Sequence, residues 1–206
     1  MIIAIDGPAA SGKGTLSRQL AAHYGLKHLD TGSLYRAVAL AILRAGGDPA
    51  NEETALEVAR QMDIDQFGDG ELRDAGIGEA ASVVAAMPQV RKVMLERQRA
   101  FAAEPPGAVL DGRDIGTIVC PDADVKLFIT ASADIRARRR YDEALARGQQ
   151  TDYDEVLGEL KRRDERDTTR AVAPLKPAAD AHLLDTSELD IETAFQAAVQ
   201  LIDGST

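Results

Sequence analysis

The chain opens with a short apolar run, Ile2-Ile3-Ala4-Ile5, closed by Asp6 and a Gly-Pro pair. A run this short, rich in β-branched residues and ended by turn formers, predicts a buried strand. From about Gly14 to Tyr24 the apolar positions return at helical spacing, which puts Leu16, Leu20 and Ala21 on one face. "LKHLD" predicts a second strand, and "SLYRAVALAILRAGG" a helix that stops at Gly46-Gly47. "EETALEVARQM" predicts another helix. Asp63 to Gly78 has no clear period and carries Gly68, Gly70, Gly76 and Gly78. Helical periodicity resumes in "EAASVVAAM", breaks at Pro88 and continues through "VRKVMLERQRAF". "GAVLD", "DVKLFIT" and "AHLLD" then predict three further strands, with helices between and after them.

Strands alternating with helices predict an α/β fold: a five-stranded parallel sheet with helices on both faces, in one domain spanning residues 1–206. No repeat, low-complexity tract or linker divides the chain. Such sheets bind ligands beyond the carboxyl ends of their strands. Asp6, Asp30, Asp111 and Asp185 all fall at such ends.

Charge narrows the chemistry. A net charge of −10 repels polyanions, which excludes a nucleic acid polymer or an anionic membrane as the main partner. Aromatic residues make up only 4% of the chain and Trp is absent, so stacking platforms for single strands are not expected. Any bound phosphate must therefore meet a local cluster of positive charge. The lone cysteine, Cys120, allows no intrachain disulfide and reads as a buried structural thiol, in keeping with a reducing compartment. "MIIAIDG" has no basic leader-like flank and its apolar run is too short to span a bilayer, so a cytoplasmic location is expected. His23, His28 and His182 lack metal-ligand spacing and read as structural; Met62, Met87 and Met94 read as core.

"GPAASGKGT", Gly7 to Thr15, nearly matches the phosphate-loop pattern G-x-x-x-x-G-K-[ST], between a predicted strand and a predicted helix. Backbone N–H groups of such a turn, together with the helix N-terminus, cradle phosphate, and Lys13 reaches the outer phosphates. The departure is Gly14, which stands where a Mg²⁺-binding hydroxyl is usual; Thr15 comes one place late. With Gly14 there, Mg²⁺ is expected to be held by nucleotide phosphates and water, with no direct protein ligand.

Three more segments add charge. Asp30-Thr31-Gly32-Ser33 either caps a helix or, with Arg36 one turn on, forms a second anion site. "VLDGRDIG" puts Asp111 at a strand end, followed by Arg113 and Asp114 on a Gly-flexed turn; such aspartates also serve as caps. Arg136, Arg139 and Arg140 share one helical face, as do Arg163, Arg166 and Arg170. These are either solvated faces paired with Asp134, Glu143, Asp164 and Glu165, or a cover that closes over phosphates. A donor loop, an acceptor arginine site and a water-excluding cover are what phosphoryl transfer requires.

These segments, with "EAASVVAAMPQVR", "PDADVKLFITAS" and "RDERDTTRAVAPLKPAADA", resemble bacterial cytidylate kinases, the CMP kinase branch of the nucleoside monophosphate kinases. The resemblance implies ATP-dependent phosphorylation of CMP or dCMP by a monomeric enzyme. Residues 1–30, 107–131 and 172–206 would be core, 31–106 the monophosphate-binding region and 132–171 the lid. It implies that Gly7, Pro8, Ala9, Ala10, Ser11, Gly12, Lys13, Gly14 and Thr15 bind the ATP phosphates. Lys13, Arg113, Arg139 and Arg140 would be catalytic. Thr31, Arg36 and Arg113 would hold the acceptor phosphate, with Arg170 nearby and Asp111 at the substrate site. Ser82, Arg91 and Asp114 would contact cytosine, and Arg163 and Asp167 the ribose. The remaining readings are another small-molecule kinase of adenylate or shikimate type, or a non-catalytic nucleotide switch. One departure stands out: "DIDQFGDGELRDAGIGEAAS" is shorter than the family's usual insertion, which includes a small antiparallel sheet.

Overall fold

Strand β1 (Ile2–Asp6) lies at the centre of the sheet because its residues are apolar toward both sides. It pairs in parallel with β3 (Ala108–Gly112) and β4 (Val125–Thr130). β2 (Lys27–Asp30) and β5 (His182–Asp185) form the edges, in the order β2-β3-β1-β4-β5. The computed structural model describes residues 1–68, 70–73 and 76–205. The predicted five-stranded parallel sheet is present, with strand limits within a residue or two of those read from the sequence.

Alternation along β1 divides the core. Ile3 and Ile5 join Leu127 and Ile129 under α1 (Lys13–Tyr24) and α8 (Ile191–Asp203). Ala4 faces the opposite way with Ala108 and Leu110, beneath α5 (Pro88–Ala103). Burying each such isoleucine or leucine contributes roughly 1.5–3 kcal/mol, so sheet and covering helices stabilise one another. Cys120 is buried on this second face, and burial raises its thiol pKa.

Residues 31–103 build a second helical core beside the sheet. It comprises α2 (Thr31–Arg44), α3 (Glu52–Gln61), α4 (Ile77–Val84) and α5, packed through Val38, Ile42, Ala59, Val84, Val90 and Met94. Asn51 caps α3 by accepting from Thr54 N at 3.0 Å, and Pro88 starts α5 where its missing N–H costs nothing. Gly46, at φ +72°, ends α2 as its sequence predicts. Among the described residues, the stretch between α3 and α4 holds two single helical turns and no strand; Asp69, Asp74 and Ala75 lie outside them.

The arginine-rich helices α6 (Ala133–Ala146) and α7 (Tyr153–Thr169) pack on each other and over the loop after β1, through Ala9, Ala137, Val156 and Leu160. No helix among the described residues is long and apolar enough to cross a membrane.

One element was not foreseen. After β3 the chain makes a wide π-helical turn, Ile115–Val119. Its cause is Asp6, whose two carboxylate oxygens accept from Ile115 N and Gly116 N, each at 2.8 Å. The two partners are far apart in sequence, so no local signal announces the turn.

Candidate functional site

Parallel register brings the strand-end acids level with one another. Asp30 lies opposite Asp111 across β2 and β3, and Asp6 opposite Gly112 across β1 and β3. The Gly7–Gly12 loop leaves this edge and turns into α1. Gly7 must be glycine: a Cβ there would lie 2.0 Å from the carbonyl oxygen of Ile129. Gly12, at φ +86°, precedes the first turn of α1 with no side-chain cap, which leaves the helix N–H groups free for an anion.

Lys13 is buried, and its Nζ donates to Pro8 O at 3.1 Å. Burial, helped by the nearby Arg113 charge, pushes its pKa down to about 7; Asp111 and Asp30 oppose the shift. Ser11 Oγ is buried without a hydrogen-bond partner. The displaced Thr15 hydroxyl accepts from Arg18 Nη2 at 3.4 Å. At Gly14, where a hydroxyl is usual, a Cβ would sit 4.0 Å from Asp111 Oδ1. Arg18 Nη1 lies 3.9 Å from the same position, so a carboxylate and a guanidinium both border the space that the glycine leaves open.

The cap reading of Asp30 does not hold. Its carboxylate makes no cap bond and instead pairs with Arg36 at 2.6 Å. Burial raises the Asp30 pKa, but the Arg36 charge and hydrogen bond outweigh it and hold the carboxyl below its usual range. Thr31 Oγ1 donates to Asp111 O at 2.8 Å, tying the start of α2 to the end of β3.

On the turn after β3, Arg113 Nε donates to Asp167 Oδ2 at 2.8 Å, and Arg163 Nε lies 4.0 Å from the same oxygen. Burial, then repulsion from Arg113, pushes the Arg163 pKa down to about 10. Arg91 and Asp114, both expected to read a pyrimidine edge, here pair with each other. Arg170 Nη2 lies 3.5 Å from the second Asp114 oxygen. Ser82 Oγ and Arg36 Nε are buried without a hydrogen-bond partner. These orphaned groups are what a polar ligand would satisfy.

Two cavities meet at the loop. One, of about 190 Å³, is bordered by Thr31, Ser82, Arg91, Asp111, Asp114 and Arg170. The other, of about 210 Å³, runs along Ser11–Thr15. Both share Lys13, Gly14, Asp30, Arg36, Arg140 and Arg163, so cationic groups outnumber the Asp30 carboxylate at the junction. A third, larger cavity of about 860 Å³ continues past Gly12 between Leu16, Leu189, Ile191 and Ala194.

The Arg136, Arg139 and Arg140 face divides. Arg136 is buried, bonding Asp164 at 2.6 and 3.1 Å and Ala9 O at 3.1 Å, which locks α6 and α7 to the loop. Arg139 donates to Thr186 O at 2.6 Å and Thr186 Oγ1 at 3.1 Å, on the wall of the third cavity. Arg140 alone of the three borders the junction. Arg166 pairs with Glu79 across α7 and α4.

Sequence reasoning named Asp6 only as a strand-end acid and missed the contacts of Thr186 and His28. Asp6 holds the turn that carries Arg113 and Asp114, and burial raises its pKa to about 6 despite its two backbone hydrogen bonds. Thr186 links Arg139 to the loop by donating to Ser11 O at 3.0 Å. His28, read as merely structural, lies 2.9 Å from Asp111 Oδ2. Among the described residues, no group of three or more His, Cys, Asp or Glu side chains could hold a metal ion.

A family model described as cytidylate kinase matches residues 3–204. The chain is 60% identical to a cytidylate kinase of Nitrobacter winogradskyi, over 98% of this chain and 96% of that protein. It is also 60% identical to a cytidylate kinase of Afipia carboxidovorans, over 98% of this chain and 97% of that protein. Among solved structures, a shikimate kinase from Bacteroides thetaiotaomicron superposes with a TM-score of 0.53 at 15% identity, over 98% of both chains. That likeness concerns the fold alone.

Proposed function

The chain belongs to the cytidylate kinase family, and we propose that its two adjoining cavities hold ATP and CMP with their phosphates meeting at Lys13. The activity is ATP-dependent phosphorylation of CMP. The observation that carries the assignment of sites is the shared junction, where Lys13, Arg36, Arg140 and Arg163 border both cavities.

In this reading Gly7 to Thr15 take the ATP phosphates, and the apolar cavity past Gly12 takes the adenine. Thr31, Arg36, Arg113 and Arg170 take the acceptor phosphate; Ser82, Arg91 and Asp114 take cytosine. Cytosine offers an amine donor to Asp114 and acceptors to Arg91 and Ser82, whereas uracil reverses two of these groups and would leave buried partners unmatched. Arg163 and Asp167 flank the ribose, and dCMP is accepted as a second substrate. Arg140 closes over the transferring group while Arg139 supports the wall through Thr186. Residues 31–106 act as the monophosphate-binding region and 132–171 as the lid.

The acceptor phosphate oxygen is already ionised, so no side chain need remove a proton. An oxygen of CMP attacks the γ-phosphorus in line and the bond from that phosphorus to the β,γ-bridging oxygen breaks, giving CDP and releasing ADP, while Lys13 and the arginines neutralise charge on the equatorial oxygens. With Asp30 paired to Arg36, the Asp111 carboxylate beside the open space at Gly14 suits a Mg²⁺ held through phosphates and bound water better than one caged by protein. When bound, that ion would offset charge on the β- and γ-phosphates. The single cysteine accords with a cytoplasmic location.

The test is ADP release from ATP and Mg²⁺ with a panel of monophosphates. CMP is expected to give the highest kcat/KM, with dCMP next. Equal turnover of AMP, or ATP consumption indifferent to acceptor, would overturn the reading.

A further inference from the structure

His28 sits on the edge strand β2, half-buried, with Nε2 at 2.9 Å from Asp111 Oδ2. It borders a cavity of about 800 Å³ along Leu29, Phe67, Arg97 and Phe101, which shares Asp30 and Arg36 with the two cavities that meet at Lys13, although His28 itself lines neither of those two. Asp111, by contrast, is 3% exposed and does border Lys13's cavity. Its backbone oxygen is fixed by Thr31, one of its side-chain oxygens faces His28, and the other faces the open space at Gly14.

An aspartate at a strand end has two rotatable side-chain bonds and, unheld, can swing toward a nearby cation such as Lys13, whose proton its charge helps to retain. Occupying Oδ2 removes that freedom and leaves Oδ1 aimed at the loop. A neutral imidazole protonated on Nε2 and an imidazolium can both donate this bond, so the hold does not depend on the charge of the ring. We propose that His28 is a positioning residue for phosphoryl transfer, which touches neither nucleotide and acts by fixing the Asp111 carboxylate toward the Gly14 gap. The arrangement answers the missing hydroxyl. The polar group that the loop lacks at Gly14 is supplied from β3, and its aim is set from β2. The fixed Asp111 charge also opposes the loss of Lys13's proton.

The inference rests on the kinase reading above. Its test is a double-mutant cycle on the full chain, with kcat and KM measured for ATP and CMP. His28→Phe keeps a ring of similar size without its nitrogens, and is expected to lower kcat about tenfold, since displaced catalytic groups commonly cost up to about 100-fold. KM for CMP should stay within about twofold, as His28 itself borders neither cavity that meets at Lys13. His28→Gln can donate again and should recover kcat to within about threefold of wild type. In an Asp111→Asn background, His28→Phe should change kcat less than about twofold. Should His28→Phe not fold, His28→Leu takes its place in the same cycle. Wild-type kcat in His28→Phe, no recovery in His28→Gln, or fully multiplicative losses with Asp111→Asn would each overturn the inference. Absence of CMP-dependent turnover in the wild-type protein would sink the kinase reading itself, which separates the two failures.

Discussion

The two halves of the proposed site, donor and acceptor, are made in different ways. The donor side is a continuous loop, Gly7 to Gly12, whose binding groups are backbone N–H donors and one lysine. The acceptor side is assembled from β3, α2, α4, α5 and α7, and its charged groups are already paired with one another: Arg36 with Asp30, Arg91 with Asp114, Arg113 with Asp167. The donor side therefore stands ready for phosphate, with a buried cation awaiting its counter-charge. On the acceptor side a ligand has to exchange partners within these ion pairs while meeting the unpaired Ser82 Oγ and Arg36 Nε. Affinity on the first side rests on preorganised backbone, and selectivity on the second rests on which groups can be exchanged without leaving one unpaired.

The largest break in this comparison comes from Lys13→Ala, which removes the one lysine among the four cations at the junction. It should lower kcat by about 1,000-fold while CMP affinity changes little, since oxyanion-type donors commonly carry losses of this order. Rapid-quench turnover and equilibrium CMP binding check both halves.

Asp114→Ala comes next, and should behave in the opposite manner. Loss of a buried base-reading group is expected to cost roughly 100-fold in kcat/KM for CMP with ATP affinity maintained. It also strands the buried Arg91, so unfolding free energy should fall by about 3 kcal/mol. Substrate kinetics and denaturant titration read the two effects.

A smaller effect sharpens the donor side. With its pKa pushed down to about 7 in the free protein, Lys13 is largely neutral at slightly alkaline pH. ATP phosphates favour its charged form, so binding at pH 8 should take up close to one proton, about 90% of the lysine being neutral beforehand. ATP affinity should then weaken as pH rises above 7. For folding the sign is opposite: the cost of burying the cation is full below about pH 7 and is relieved as pH climbs toward 10.5. Calorimetry in buffers of different ionisation enthalpy reports the uptake, which Lys13→Ala should abolish.

Asp6 gives the smallest effect. A carboxyl raised from 3.8 to about 6 binds its proton more tightly in the folded state. Folding is therefore favoured as pH falls through 6, and the gain stops below 3.8. Between pH 7 and 5 the wild type should gain about 1 kcal/mol relative to Asp6→Asn, measured by urea unfolding.

The same contrast explains what could be read from the chain alone. The strands, the phosphate loop and the Gly46 stop are local patterns, and each falls where its residues predict. The sequence also places Arg113, Asp114 and Arg163 among the candidates. It does not show that Asp114 is held by Arg91, or that Arg139 and Arg140 part company, because helical spacing fixes a face and not a partner. The Ile115–Val119 turn and the His28–Asp111 pair depend on contacts between distant segments, made only once the sheet has set its register.

Binding of a bisubstrate analogue, adenosine joined to cytidine by a chain of phosphates, tests most directly whether two sites meet at Lys13. Competition against ATP and against CMP should each be complete, with affinity well above that of either nucleotide and lost in both Lys13→Ala and Arg36→Ala. An analogue that displaced only one of the two nucleotides, or bound no better than ATP, would contradict the shared junction.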